Sequence, residues 1–176
     1  MEYPIICILG ERGDGKTLTA TAIAYMNNKT DKKNVFANYH LSGIPYQYIT
    51  FKDLTDFPEY LEDSIVIMDE MHIGSDSYEF FSKHVKDITT FITQLRKRSI
   101  TLIYTTQRFS TIAKRMRDMT NYIIQCTMTD IKGVVNLQVY DRSLPANEPP
   151  VNDFTFDFRM FFGYYNTKEI IHKNVE

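Results

Sequence analysis

Gly10-Glu11-Arg12-Gly13-Asp14-Gly15-Lys16-Thr17 stands directly after the apolar run Tyr3 to Leu9 and directly before a stretch of helical periodicity. The eight residues satisfy G-x-x-x-x-G-K-[ST], the spacing of a Walker A phosphate loop. Glycines at these positions let successive backbone N–H groups turn inward toward an anion at a helix N-terminus. A lysine then reaches the β- and γ-phosphates, and a threonine hydroxyl ligates Mg²⁺. On this reading Glu11, Arg12, Gly13, Asp14, Gly15, Lys16, Thr17 and Leu18 hold the phosphates of ATP, and Thr17 is one metal ligand. The preceding run reads as a buried strand. Leu18, Ala22, Tyr25 and Met26 fall at i, i+4, i+7 and i+8, which predicts a helix from Lys16 to Asn27 with those four on one face.

Moving outward, Ser64 to Met68 is a second buried strand, ending in Asp69-Glu70. Asp69 is expected to hold Mg²⁺ through water, and Glu70 to act as general base on the attacking water. Ile100 to Thr106 is a third strand, ending in Gln107, whose carboxamide can donate to a γ-phosphate oxygen and accept from the lytic water. In ATPases with a glutamate base, that strand is expected between the other two. Short strands are predicted at Val35 to Asn38 and Tyr48 to Phe51, and a brief helix at Pro58 to Leu61. A turn is predicted at Gly74 to Ser77. Ile88, Phe91, Ile92 and Leu95 give a helix ending in Arg96-Lys97-Arg98. Further on come a basic helix at about Ile112 to Met119 and strands at Tyr122 to Thr127 and Val134 to Tyr140, joined at Lys132-Gly133. Alternating strands and helices imply an α/β fold with a mostly parallel sheet flanked by helices, and ligands at the carboxyl ends of the strands.

The expected division is an ATPase core over 1–142, then a Pro-rich linker and an aromatic, β-rich C-terminal extension over 143–176, packed on the core. Phe154, Phe156 and Phe158 alternate as an added strand would. The aromatic run Phe161 to Tyr165 reads as core or subunit contact rather than a base-stacking platform. The 176 residues suit one compact domain. Apolar runs stop at about five residues, far short of a membrane span. Cys7 and Cys126 lie in apolar segments and read as small core residues, which fits a reducing, cytoplasmic setting.

The net charge of −2 conceals a strong asymmetry. Residues 1–82 carry 6 Lys/Arg against 13 Asp/Glu, residues 83–117 carry 9 against 1, and residues 118–176 carry 5 against 8. A basic block of this kind calls for an anionic partner.

Thr105-Thr106-Gln107-Arg108, with Arg96-Lys97-Arg98 before it and Lys114-Arg115-Met116-Arg117-Asp118 after it, resembles the third motif region of the FtsK/HerA superfamily of DNA-pumping ATPases. It is similar in particular to small viral genome-packaging ATPases, over about Ile5 to Cys126. The resemblance implies a RecA-like core, a homo-oligomeric ring of five or six copies, Mg²⁺-dependent ATP hydrolysis, translocation of double-stranded DNA, and capsid or portal-vertex partners. It also implies an arginine finger, for which Arg117, Arg96 and Arg98 are the candidates, being placed near the strand ends that build the site. Lys83, Lys86, Lys114 and Arg115 are the candidates for DNA phosphate contacts.

Two other readings stand beside it. One is a small-molecule phosphotransferase with Arg96, Arg98, Arg115 and Arg117 as a lid. The other is a filamentous-virus assembly ATPase of the zonular-occludens-toxin type. Asn28-Lys29-Thr30-Asp31 matches N-K-x-D but precedes the acidic strand, so it is not a guanine site. Asp69-Glu70-Met71-His72 spells a helicase box that needs a second RecA-like domain. His40, His84 and His172 lack metal-ligand spacing.

Overall fold

The computed structural model describes residues 3–56, 58–71 and 88–166. In chain order its elements are β1 (Ile5–Leu9), α1 (Lys16–Thr30), β2 (Asn34–Ala37), β3 (Gln47–Tyr48), α2 (Phe51–Asp56), β4 (Ser64–Met68), α3 (Ile88–Lys97) and β5 (Ile100–Thr106). A 3-10 turn at Phe109–Thr111 then leads to α4 (Lys114–Met119), β6 (Tyr122–Met128), β7 (Val134–Asp141), β8 (Asn152–Asp157) and a second 3-10 turn at Arg159–Phe161.

The strands form one sheet in the order β3-β2-β4-β5-β1-β6-β7-β8. From β3 across to β6 every pairing is parallel, and β6-β7 and β7-β8 are antiparallel. Parallel strands are covered on both faces, and the sequences show it. Every residue of β4, Ser-Ile-Val-Ile-Met, is buried. β8 lies at the sheet edge, and only Phe156 of its residues is even half-buried.

Two apolar layers sandwich the sheet. One contains Cys7, Leu54, Val66, Leu102, Tyr104 and Met116, and the other contains Ile8, Leu18, Ile65, Ile103, Cys126 and Phe161. Cys7 and Cys126 therefore face opposite layers. Both are fully buried, and burial pushes their thiols up to about 12 and about 11. They are core residues, as their apolar surroundings imply.

Helix α1 departs from the single-faced pattern. Ala20, Ala22 and Ala24 are all completely buried, whereas Met26 is 39% exposed. The reason is a strap that follows β8 and covers the outside of the helix. Tyr25 meets Phe161 and Tyr164 edge to face at centroid separations of 5.5 and 4.8 Å. The strap ends on the loop after β2, where the Ser42 N–H donates to the Tyr164 carbonyl at 2.7 Å and Leu41 bridges Tyr165. A helix enclosed between sheet and strap shows little amphipathic contrast, and small alanines let it sit close to both.

Two local expectations fail. Phe51 begins α2 rather than ending a strand, because Thr50-x-x-Asp53 is a reciprocal capping pair. The Asp53 N–H donates to Thr50 Oγ1 at 3.2 Å, and the Thr50 N–H donates to Asp53 Oδ2 at 2.8 Å. Pro58 to Leu61 is then only a turn, closed by the Leu61 N–H on the Pro58 carbonyl. The Gly74 to Ser77 turn lies outside the described residues. Among the described residues, no helix is long and apolar enough to cross a membrane.

Candidate active site

Gly15 is the N-cap of α1, at φ +85°, and no side chain caps the helix. Its leading N–H groups are thus turned toward the loop, where the dipole favours an anion. A side chain at position 15 would be strained by that φ, and its Cβ would stand 2.8 Å from Val135 Cγ2. Lys16 Nζ donates to the Glu11 carbonyl at 2.9 Å, holding the ammonium over the loop. Asp14 anchors the loop from within: its carboxylate accepts the Glu11 N–H at 2.7 Å and the Met128 N–H, from the end of β6, at 3.4 Å. Glu11, Arg12 and Gly13 are exposed at the loop tip. Leu18 is 2% exposed and its side chain belongs to the core, so only its backbone is available to a phosphate.

Across the sheet, Thr17 Oγ1 lies 3.1 and 3.0 Å from the two oxygens of Asp69. Asp69 is held from three sides. Thr105 Oγ1 donates to Asp69 Oδ1 at 2.6 Å, and the Asp69 N–H donates to Asn38 Oδ1 at 2.7 Å. Asn38 Nδ2 donates to the Asp69 carbonyl at 3.1 Å. The same Thr105 hydroxyl accepts the Glu70 N–H at 2.9 Å, and the Thr105 carbonyl accepts the Met71 N–H at 3.0 Å. Glu70 is thereby fixed at φ +50°, a left-handed conformation that non-glycine residues adopt only under constraint. Burial pushes the Asp69 carboxyl above the usual carboxylate range, against the opposing hydrogen bonds from Thr105 and Thr17. A buried carboxylate beside a hydroxyl is a hard-oxygen donor set, the kind that suits Mg²⁺ completed by phosphate oxygens and water. Among the described residues no cluster of three His, Cys, Asp or Glu offers a rival metal site.

β5 lies between β1 and β4, with Thr106 level with Leu9. Gln107 therefore follows the middle strand at the carboxyl edge, flanked by the phosphate loop and by Asp69-Glu70. Sequence reasoning missed Asn38 and Thr105. The available signal was two threonines and an asparagine closing otherwise apolar, buried strands. It also missed an outer layer. Thr21 Oγ1 donates to the Thr17 carbonyl and lies 2.9 Å from the Tyr39 hydroxyl, and the Tyr39 ring meets Tyr165 of the strap edge to face. Burial and the charge of Asp69 push the Tyr165 phenol up to about 12.

The arginines lie elsewhere. Arg96 and Arg98 close the turn from α3 into the start of β5, where the Arg98 carbonyl accepts the Asp63 N–H and Arg98 Nη1 donates to the Pro58 carbonyl. That is the amino edge of the sheet, opposite the phosphate loop. Arg117 sits on α4, which returns the chain to the same edge. One turn later the Asn121 N–H donates to the Ile5 carbonyl at the start of β1. The expected nearness of these three arginines to the site-bearing strand ends thus does not hold within one chain, because each belongs to a connection on the far side of the sheet. Lys114 and Arg115 are exposed on α4. Lys83 and Lys86 lie outside the described residues.

A sequence model of the ATPases associated with various cellular activities (AAA) matches residues 6–128, from β1 through β6. The chain belongs to the AAA family of ATPases. Its match takes in the phosphate loop, Asp69-Glu70 and Gln107, so P-loop ATPase activity and nucleotide binding are properties of this AAA core. Comparison with curated proteins finds no match. Among solved structures, the AAA chain is similar to the N-terminal domain of zonular occludens toxin from Neisseria meningitidis. The two share 19% identity over 93% of this chain and 100% of that one, with a TM-score of 0.56. It is also similar to the genome packaging NTPase B204 from Sulfolobus turreted icosahedral virus 2 in complex with AMP (12% identity, 80% and 93% coverage, TM-score 0.53). The flagellar accessory protein FlaH from Methanocaldococcus jannaschii aligns at 13% identity over 88% of this chain and 90% of that one, with a TM-score of 0.57. These likenesses establish the RecA-like P-loop fold.

Proposed function

We propose that this AAA ATPase is an Mg²⁺-dependent motor of FtsK/HerA type that assembles as a homo-oligomeric ring and translocates double-stranded DNA, packaging a viral genome into a capsid. The observation that carries the reading is the clamp by Thr105, on β5 next to the phosphate-loop strand, which holds Asp69 and Glu70 together at the carboxyl end of β4. In this scheme Lys16 and the open amides of α1 bind the phosphates, and Thr17 and Asp69 hold Mg²⁺, which neutralises charge on the transferred phosphoryl group. Glu70 takes the proton of the attacking water, and Gln107 orients that water. The basic block of residues 83–117 supplies contacts to DNA phosphates, with Lys114 and Arg115 exposed on α4. Arg117 or Arg96 serves a neighbouring copy, which accords with their distance from their own chain's site. Similarity to a viral packaging NTPase supports the choice of cargo.

A second reading, filamentous-virus assembly, is favoured by one observation. The zonular occludens toxin domain is matched along its whole length and over 93% of this chain, against 80% for the packaging NTPase. One experiment serves both. Phosphate release is measured with the parent and Glu70→Gln, each alone, with duplex DNA and with single-stranded DNA. Glu70→Gln is expected to lower turnover about a hundredfold or more while ATP still binds, and duplex DNA to stimulate the parent. Stimulation confined to single strands favours the assembly reading. Indifference to DNA and to the substitution overturns the motor.

A further inference from the structure

The site just described is built for the phosphate end of the nucleotide, and its direction is set. Thr17 faces Asp69, at the end of β4, so the metal and terminal phosphates belong on the β4 side of β1. With those phosphates on the β4 side, the flank left for the nucleoside is the opposite one, at the end of β6.

A continuous series of contacts leads from the phosphate loop in that direction. Asp14 accepts the Met128 N–H, and the Met128 methyl lies 3.5 Å from where a Gly15 Cβ would stand. The Gly133 N–H, in the turn between β6 and β7, donates to Met128 Sδ at 3.4 Å. Gly133 has φ +86°, and the Phe162 ring sits 2.3 Å from the place of its missing Cβ, so the ring rests on bare backbone. The Phe158 N–H donates to the Gly133 carbonyl at 2.8 Å, which ties the strap to this turn.

The aromatic run is divided at this point. Phe161 is 2% exposed and belongs to the core, while its neighbour Phe162 is 43% exposed. Ile131, in the same turn as Gly133, is 57% exposed. The fold thus leaves a partly exposed aromatic ring and an exposed aliphatic side chain at the turn that meets Met128, on the flank of the phosphate loop away from β4. Large apolar side chains fixed in that state fit a ligand that is flat, apolar on its faces and polar at its rim.

We propose that Phe162, with Ile131 of the β6-β7 turn, forms the platform on which the purine base of ATP packs. This rests on the ATPase reading and adds the nucleoside end to it. Recognition through a ring face is strong but indifferent to the base's hydrogen-bonding edge. ATP and GTP are therefore expected to bind alike, pyrimidine triphosphates more weakly, and inorganic tripolyphosphate weakest.

Isothermal titration of the full chain with magnesium ATP and with magnesium tripolyphosphate tests this. Phe162→Ala is expected to weaken ATP about tenfold and leave tripolyphosphate unchanged, while Phe162→Tyr keeps the parent's ATP affinity. Ile131→Ser, in an exposed turn, is expected to weaken ATP about threefold, again without effect on tripolyphosphate, and decides the matter if Phe162→Ala does not fold. Equal losses for both ligands, no loss for either, or a parent that binds tripolyphosphate as tightly as ATP overturns the platform alone. A parent that binds neither ligand overturns the ATPase reading with it.

Discussion

The two ends of the same parallel strands carry opposite chemistry. At the carboxyl ends buried Asp69, Thr105 and Asn38 and half-buried Thr17 form a network around one carboxylate. At the amino ends Arg96, Arg98 and Arg117 lie on connections, with Arg96 exposed and Arg98 bonded to a loop carbonyl. At the carboxyl edge every member of the network is hydrogen-bonded to another. At the amino edge Arg96 is exposed, whereas Arg98 and Arg117 are half-buried. A residue near a motif in sequence can therefore lie a full strand length from it: Arg96 and Gln107 are joined by β5 and sit at its two ends.

Breaking the carboxyl edge should have the largest effect. Thr105→Val keeps the shape of the side chain but removes the donor to Asp69 and the acceptor for the Glu70 N–H. Turnover is expected to fall about ten- to a hundredfold, with ATP affinity by titration close to the parent's. Turnover within threefold of the parent would remove the clamp from the mechanism.

A smaller effect, in stability, follows from the same carboxylate. Burial raises the Asp69 carboxyl above its ordinary 3.8, so in metal-free protein the folded state holds that proton more tightly than the unfolded chain. The stabilisation is complete below pH 3.8 and is lost as pH rises through the raised folded value. In EDTA, the melting temperature of Asp69→Asn relative to the parent should therefore rise as the pH is raised above 3.8, as followed by scanning fluorimetry. A constant difference would mean that Asp69 is not desolvated.

The smallest effect is expected at the amino edge. Arg96→Ala should change stability by no more than about 0.5 kcal/mol and leave the turnover of dilute, unassembled protein unchanged. A tenfold loss that appears only at concentrations where copies associate would bring this edge into the site of a neighbour and sharpen the contrast between the two ends.

Much of this was legible because the decisive signals are local. The phosphate loop needs eight consecutive residues, and the buried strands β4 and β5 announce themselves as unbroken apolar runs. The strand order followed too, since a glutamate after Asp69 implied an extra strand between β1 and β4. What stayed hidden depends on contacts distant in sequence. Asn38 reads as the polar end of a strand, and only pairing of β2 with β4 brings it to the Asp69 backbone. Tyr25 reads as one more face residue until the strap arrives from beyond β8. The arginines misled because proximity along the chain ignores the direction in which each connection runs. The strand expected over Tyr48 to Phe51 followed the β-prone character of Phe51, which the Thr50–Asp53 capping pair outweighs.

The strap gives the molecule an order of completion. A chain leaves the ribosome from its N-terminus at about 5 to 20 residues per second. The phosphate loop and α1 are thus outside on the order of ten seconds before Phe161 and Tyr164 exist to cover Tyr25. β1 precedes α1, and β4 and β5 are synthesised within that interval, so the site precedes its own cover. Until the strap docks, Tyr25 lacks its aromatic cover, so the helix that carries the phosphate loop is the last element of the site to be enclosed.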